Sequence, residues 1–467
     1  MRTRRTTGEG LKWTPTFVQS DEMRSDRMNG PPIKTGEESG GDIPFELSYP
    51  VPDSPADLDL QSALYNTWTN TPTFFNDGTA DSVITDAGTT ANTYAVSANG
   101  TNVKAGHLVR ATGFTNAANN QVFKVASSTA TTIVGTAMSL TAEAAPPGTA
   151  RLKVVGFQGA AADITATATG LGATTLNFTQ MGLAVGQWIK VGGTAAGDKF
   201  ATAVLNDWIR IIGITATALT CDNLPTGWTT DAGTGKTIKV WFGDQIKNGT
   251  TQIGQSFEKG FLGQATPTYI VQPGMVVTQY SMNWTAKQKI TGSVSYMGMK
   301  GSSQSTTSLD AVPDANTSLT AYPVMACGAN VGRIGENGAT LSAPNFVQSL
   351  TFEIANQTTA IDEAASMGPA GLTGHSCAVT AKINTYFGDN ALLTKFFNGT
   401  PTSLNGRVAK NGMAVIVTIP AATYDKEGSP NASGKDQDVM LPLGLTAWKD
   451  ETYTNAMILF DRIEYFE

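Results

Sequence analysis

Phe17-Val-Gln-Ser20 recurs letter for letter as Phe346-Val-Gln-Ser349, and behind each copy the chain lays out the same succession of elements. The first is followed by a polar, strand-like run over Asp21–Arg27, a glycine-bounded strand over Gly41–Tyr49 and a helix over Ser54–Trp68. The second is followed by strands over Leu350–Gln357 and His375–Phe387 and a helix over Asp389–Asn398. A repeat on this scale decides the architecture. The expectation is one small β module carried twice. Ser54 is placed to cap the first helix, with Pro55 at its first position and Asp57 at capping-box spacing. Leu60, Ala63, Leu64 and Trp68 then form an apolar stripe for burial against a sheet. Asn398-Gly399 closes the second helix.

The stretch between reads differently. Residues 80–245 are rich in Thr, Ala and Gly, and Lys104–Gly113 matches Ala184–Gly193 at a constant offset. Asn120–Val125 then matches Asn206–Ile211, and Ile84 and Ile164 fall in register. Two tandem β units are expected, inserted into the first module and decorating its outside, where loops tolerate insertions. From Ser256 longer alternating strands return, with Val276–Trp284 and Ile290–Tyr296 joined as a hairpin through Ala286-Lys-Gln-Lys289. Residues 300–325 have linker composition. Strands are expected at Met413–Ile419 and Met440–Ala447, and a docked last strand at Ala456–Tyr465. The expected division is 1–79 (first module, with a flexible arm at 1–15), 80–245 (insert), 246–325 (completing strands and linker) and 326–467 (second module).

Composition fits short strands. There are 49 Gly, 15% charged residues and seven Asn-Gly pairs suited to hairpin turns. The net charge of −7 offers no overall basic surface to grip nucleic acid. Cys221, Cys327 and Cys377 show no disulfide or zinc spacing. The basic start, Met-Arg-Thr-Arg-Arg5, lacks a signal peptide's apolar stretch, and no apolar run reaches membrane-spanning length. A soluble, cytoplasmically made protein is expected.

Catalytic motifs fail on inspection. Gly374-His-Ser376-Cys-Ala378 approximates a nucleophile elbow, but Ala378 replaces the last Gly, a strand follows, and no His lies downstream. Gly233-Thr-Gly-Lys-Thr237 approximates a phosphate loop, but it precedes a strand rather than a helix N-terminus. The acidic turns Asn76–Asp81 and Asp425–Asn431 lack calcium-loop spacing. Paired carboxylates for glycoside cleavage have no motif in their favour. No enzyme activity, cofactor or metal is expected.

Phe17–Arg27, Gly40–Tyr49 and Leu58–Trp68 together resemble the N-terminal signature of tail tube proteins from long-tailed, non-contractile bacteriophages. Ser349–Ile354, Tyr386-Phe-Gly-Asp-Asn390, Ile419-Pro420 and Ile458–Ile463 are similar to the same family. The resemblance covers both modules and leaves out 80–245. It implies an all-β fold with minor α: two β-sandwich modules, each flanked by a helix, joined into a β-barrel ring. Three chains per ring with pseudo-sixfold symmetry are implied, or six chains. The stacked rings form a structural virion tube for DNA. Its expected partners are further copies of itself, the tape measure protein and DNA in the lumen, and tail terminator and distal tail proteins at the ends. Arg2, Arg4, Arg5, Lys287 and Lys289 are the expected ring-to-ring contacts. The competing class is a glycan-binding phage adhesin or capsid decoration protein, presenting Trp188, Trp208, Trp228 and Trp241. Those tryptophans lie in or beside alternating strands, where burial is the commoner fate.

Overall fold

The computed structural model describes residues 1–26, 28–76, 83–299, 304–312, 320–432 and 434–465. Arg27, most of the acidic turn Asn76–Asp81 and much of the linker 300–325 therefore lie outside the described residues. The chain is all-β, with 47% strand and 8% helix in two antiparallel sheets, and the described residues form no closed barrel.

Nine strands and two helices carry the argument. They are β1 (Lys12–Val18), β2 (Ile33–Glu46), α1 (Pro55–Leu64), β3 (Thr268–Thr285), β4 (Thr291–Gly298), β5 (Val347–Ile361), β6 (Gly371–Tyr386), α2 (Ala391–Asn398), β7 (Met413–Glu427), β8 (Val439–Ala447) and β9 (Leu459–Glu464). One sheet runs β1-β2-β4-β3-β5-β6-β8-β7, which is the same four-strand order twice. The repeat extends to an irregularity. β3 shifts register between Val277 and Gln279 against β4, and β7 does so between Tyr424 and Lys426 against β8. An extra residue at one place in both copies bends and twists the two strands alike.

The four-letter identity that first exposed the repeat is out of register with it. Phe17 and Val18 end β1, Val18 pairing with Ile33 at the start of β2. Val347 begins β5 and pairs with Thr385 near the end of β6. The order of elements recurs; the letters sit at opposite ends of the corresponding strands. The expected strand over Asp21–Arg27 is also absent over its described residues, 21–26. The strand precedes them, because Lys12–Val18 alternates and reaches Pro15, a residue suited to an edge.

Both helices are shorter than expected. Ser54 caps α1, its hydroxyl accepting the Asp57 N–H at 3.3 Å, but Tyr65 enters the left-handed region (φ 51°) and stops the helix about one turn short of Trp68. Trp68 is buried nonetheless, beneath the Arg462 guanidinium, 4.1 Å from the ring centroid. Gly399 (φ 58°) terminates α2 as expected. Residues 1–11 are not a free arm. Thr7 and Gly10 donate backbone hydrogen bonds to Pro44 and Asp42, so the arm extends the line of β1 along β2.

The second sheet, Thr73–Trp241, contains the insert repeat in full. Its order is the same six-strand arrangement twice, joined where Arg151–Gln158 pairs antiparallel with Lys239–Trp241. The matched letters do matched work. Asn120 and Asn206 each accept the N–H and bond the carbonyl of the residue six before, Phe114 and Phe200, all at 2.9 Å. His107 Nδ1 and Gln187 Oε1 each accept an N–H from three residues back at 3.0 Å. Asn206→Ala should therefore cost about 1–2 kcal/mol by leaving two turn groups without partners, measurable as a fall in denaturation midpoint.

β7 is where the two sheets meet. Met413, Val415, Val417 and Ile419 face the main core, while Ala414 and Ile416 face outward onto Leu108, Val155, Trp188, Trp208 and Trp241 of the insert. Trp188, Trp208 and Trp241 are thus buried, and Trp228, half-buried, donates to the Thr167 carbonyl at 2.8 Å. An ionic seam ties this junction: Asp244 takes Lys153 and Arg462 at 2.7 Å each, and Glu464 takes Arg110 at 2.8 Å and Arg151 at 3.3 Å.

Candidate functional site: a polar sheet face and two open edges

These eight strands of the larger sheet have two unlike faces, because side chains alternate along every strand. One face is the core: Ile43, Val294, Tyr280, Met282, Trp284, Leu350, Phe352, Ile354, Val379, Ile383, Leu443 and Leu445 are all buried. The other is polar, and its register can be read across the strands. One row runs Pro44, Ser293, Ser281, Glu353, Thr380, Thr446 and Thr423. The next runs Glu46, Thr291, Asn283, Thr351, Lys382, Gly444 and Lys426.

Cross-strand bonds fix this face. Gln279 donates to Glu353 at 2.8 Å, Thr446 to Asp425 at 2.7 Å, and Lys382 pairs with Glu427 at 2.7 Å. Lys289 is paired with Glu46. Lys289 and Lys382 have carboxylate partners, Lys426 has none among the described residues, and Asp42 and Glu353 add negative charge. Such a surface stays hydrated.

The sheet also joins the two repeats. β3, last strand of the first, pairs with β5, first of the second, from Gln279–Ala355 to Thr285–Ser349. The corresponding edges at the two ends, β1 and the Asp425–Glu427 end of β7, have no partner on their outer sides among the described residues. Unpaired edges invite addition of strands from another chain. At β1 the edge is locally blunted. Glu37 sends its N–H away to the Met367 carbonyl (2.7 Å), so the Glu37–Pro15 pair is not hydrogen-bonded and the Pro15 nitrogen, without a proton, faces outward.

The five expected contact cations separate into two groups. Arg4 is bound within the chain to Asp59 and Tyr296, each at 3.0 Å, and Arg5 donates to the Tyr322 carbonyl at 2.8 Å. Arg2 has partners within the chain as well. Lys287 and Lys289 lie exposed on the β3–β4 turn, Lys287 in the left-handed region (φ 63°) and Lys289 paired with Glu46. Sequence reasoning missed that the arm is docked, since its anchor Asp59 lies some fifty residues on and reads as one more helix carboxylate. The nucleophile-elbow residues Gly374–Ala378 lie inside β6, with strand on both sides. No described helix is long and apolar enough to cross a membrane.

The described residues thus present a polar sheet face backed by a core, with a strand edge unpaired at either end of the doubled run. Residues 215–447 match the model of the phage tail tube protein family, and the chain belongs to that family, whose members are structural components of the virion. The match takes in β3 to β8 and the joint between the repeats. A search of curated proteins finds no match.

Proposed function

We propose that three of these chains close into a ring with pseudo-sixfold symmetry, β7 of each pairing with β1 of the next. Rings then stack into the hollow tail tube of a long-tailed, non-contractile phage. DNA passes along the polar face, the tape measure protein occupies the lumen before it, and terminator and distal tail proteins bound the two ends. The observation that carries this reading is the β3–β5 joint, which supplies within one chain a template for the joint between chains.

Register supports closure. Starting at Asp42 on β2, the row through Ser295, Gln279 and Ala355 arrives at Ala378 on β6. The equivalent of Asp42 there, placed by the shared bulge, is Lys382, so each four-strand repeat advances the register by four residues. One residue per strand is the ratio of eight-strand barrels of shear eight, whose strands tilt about 36°. Three chains would give a barrel of roughly 24 strands, about 45–50 Å across at the backbone for ordinary strand spacing and that tilt. The two modules are 1–79 with 246–325, and 326–467. The insert at 80–245, packed on the far side of β7 from the core, would ride on the outside of the tube.

Negative-stain electron microscopy of the concentrated protein tests the assembly. Hollow rings or tubes somewhat over 100 Å wide, the scale of about six small modules around a lumen, are expected. Closed particles without a lumen would reject it in favour of the decoration-protein class.

A further inference from the structure

β4 has two unlike ends. It leaves the turn that carries Lys287 and Lys289, both exposed and Lys289 shared with Glu46, and it ends at Tyr296-Met-Gly298 in the wall of a cleft of about 740 Å³. Eight residues of strand separate the two, roughly 25 Å. The cleft lies between the β1–β2 ribbon and residues 360–369. That segment reaches back to β2 through the Glu37 N–H and the Met367 carbonyl. Four carboxylates line it, Glu37, Glu38, Asp362 and Glu363, against Lys12 as the one lining cation. Lys34 pairs with Glu37 at 2.6 Å. Glu38, Asp362 and Glu363 are exposed and have no ion-pair partner among the described residues.

A basic turn at one end of a strand and an acidic cleft at the other are complementary surfaces that a single chain cannot bring together. A second copy displaced along the strand direction can. Such a contact is head-to-tail, and a head-to-tail contact that does not close propagates as a filament. We propose that the Ala286–Lys289 turn of each chain seats in the cleft of a chain in the adjacent ring, Lys287 and Lys289 facing Glu38, Asp362 and Glu363. This rests on the ring reading above and adds the direction of stacking: the β3–β4 turns of one ring point into the β1–β2 ends of the next. Single exposed ion pairs are weak, but the same contact recurs around every ring. The stack is therefore cooperative and sensitive to salt on the scale of the Debye length.

Charge reversal tests it. The double variant Lys287→Glu/Lys289→Glu should still form rings, and its tube length at 0.1 M salt should fall at least tenfold. The triple variant Glu38→Lys/Asp362→Lys/Glu363→Lys should show the same loss, and a chain carrying all five changes should recover tubes. Tubes of unchanged length from the double variant would overturn the proposal. So would a double variant that melts normally yet loses rings as well as tubes, since the turn would then act within the ring. Failure of the unaltered protein to form any ring would instead reject the assembly reading itself.

Discussion

A chain carrying Thr14→Cys with Lys426→Cys, in a background where Cys327 and Cys377 are serine, should become covalently linked to its neighbours once assembled and oxidised. On a non-reducing gel it should run as a ladder ending at three chains. The pair follows from the internal joint. Gln279 of β3 opposes Ala355 of β5, the bulge places Lys426 where Gln279 stands in the first repeat, and Thr14, opposite Glu38, stands where Ala355 does. Directly opposed residues of an antiparallel pair have Cα atoms about 4.5–5.5 Å apart, inside the range a disulfide bridges. The internal pair Gln279→Cys/Ala355→Cys is the control and should close within one chain. A ladder ending at six would set six chains per ring. If the control closes and no ladder forms, β1 and β7 are not the joining edges.

The second large effect is on stability. Arg462→Met should destabilise the chain by about 3–5 kcal/mol, the usual result of removing one partner from a buried ionic group. Its guanidinium is bonded to Asp244 at 2.7 Å, to Asp57, to the Pro50 carbonyl at 2.9 Å and to Asn70 at 2.9 Å, and it lies over the Trp68 ring. Without it, Asp57 and Asp244 are buried with a charge deficit across the junction of α1, β9 and the insert. The same seam sets acid sensitivity. Burial opposes ionisation of Asp244 and Glu464, but Lys153 and Arg462 beside the first, and Arg151, Lys153 and Arg110 beside the second, hold both carboxyls below their ordinary range. A depressed folded pKa gives stability that is fully present above the unfolded value of about 4 and is lost as pH falls below it. Urea midpoints measured from pH 6 to pH 3 should therefore drop steeply below about pH 4 in the native chain and less steeply in Glu464→Gln.

Local patterns carried much of the fold into the sequence. Alternation at Val276–Trp284 marked β3, Gly399 marked the end of α2, and the offset between Lys104–Gly113 and Ala184–Gly193 marked two units whose turn hydrogen bonds do coincide. Those signals are local because strand alternation, left-handed caps and side-chain-to-backbone turns are made by residues near one another in the chain.

Non-local pairing lay beyond the sequence. That Phe17-Val-Gln-Ser ends one strand while Phe346-Val-Gln-Ser begins another depends on register, and a register is set by which distant strand comes alongside. The same holds for Arg4, whose partner Asp59 is met only when the arm lies along β2, and for Trp188, Trp208 and Trp241, buried by strands more than 150 residues away. The sequence by itself determined most of the elements, the doubled plan and a net charge of −7. The tertiary structure alone decided which edges remain open and which face stays polar across eight strands, because hydrogen-bond partners between strands are chosen by packing of the whole core rather than by either strand's own residues.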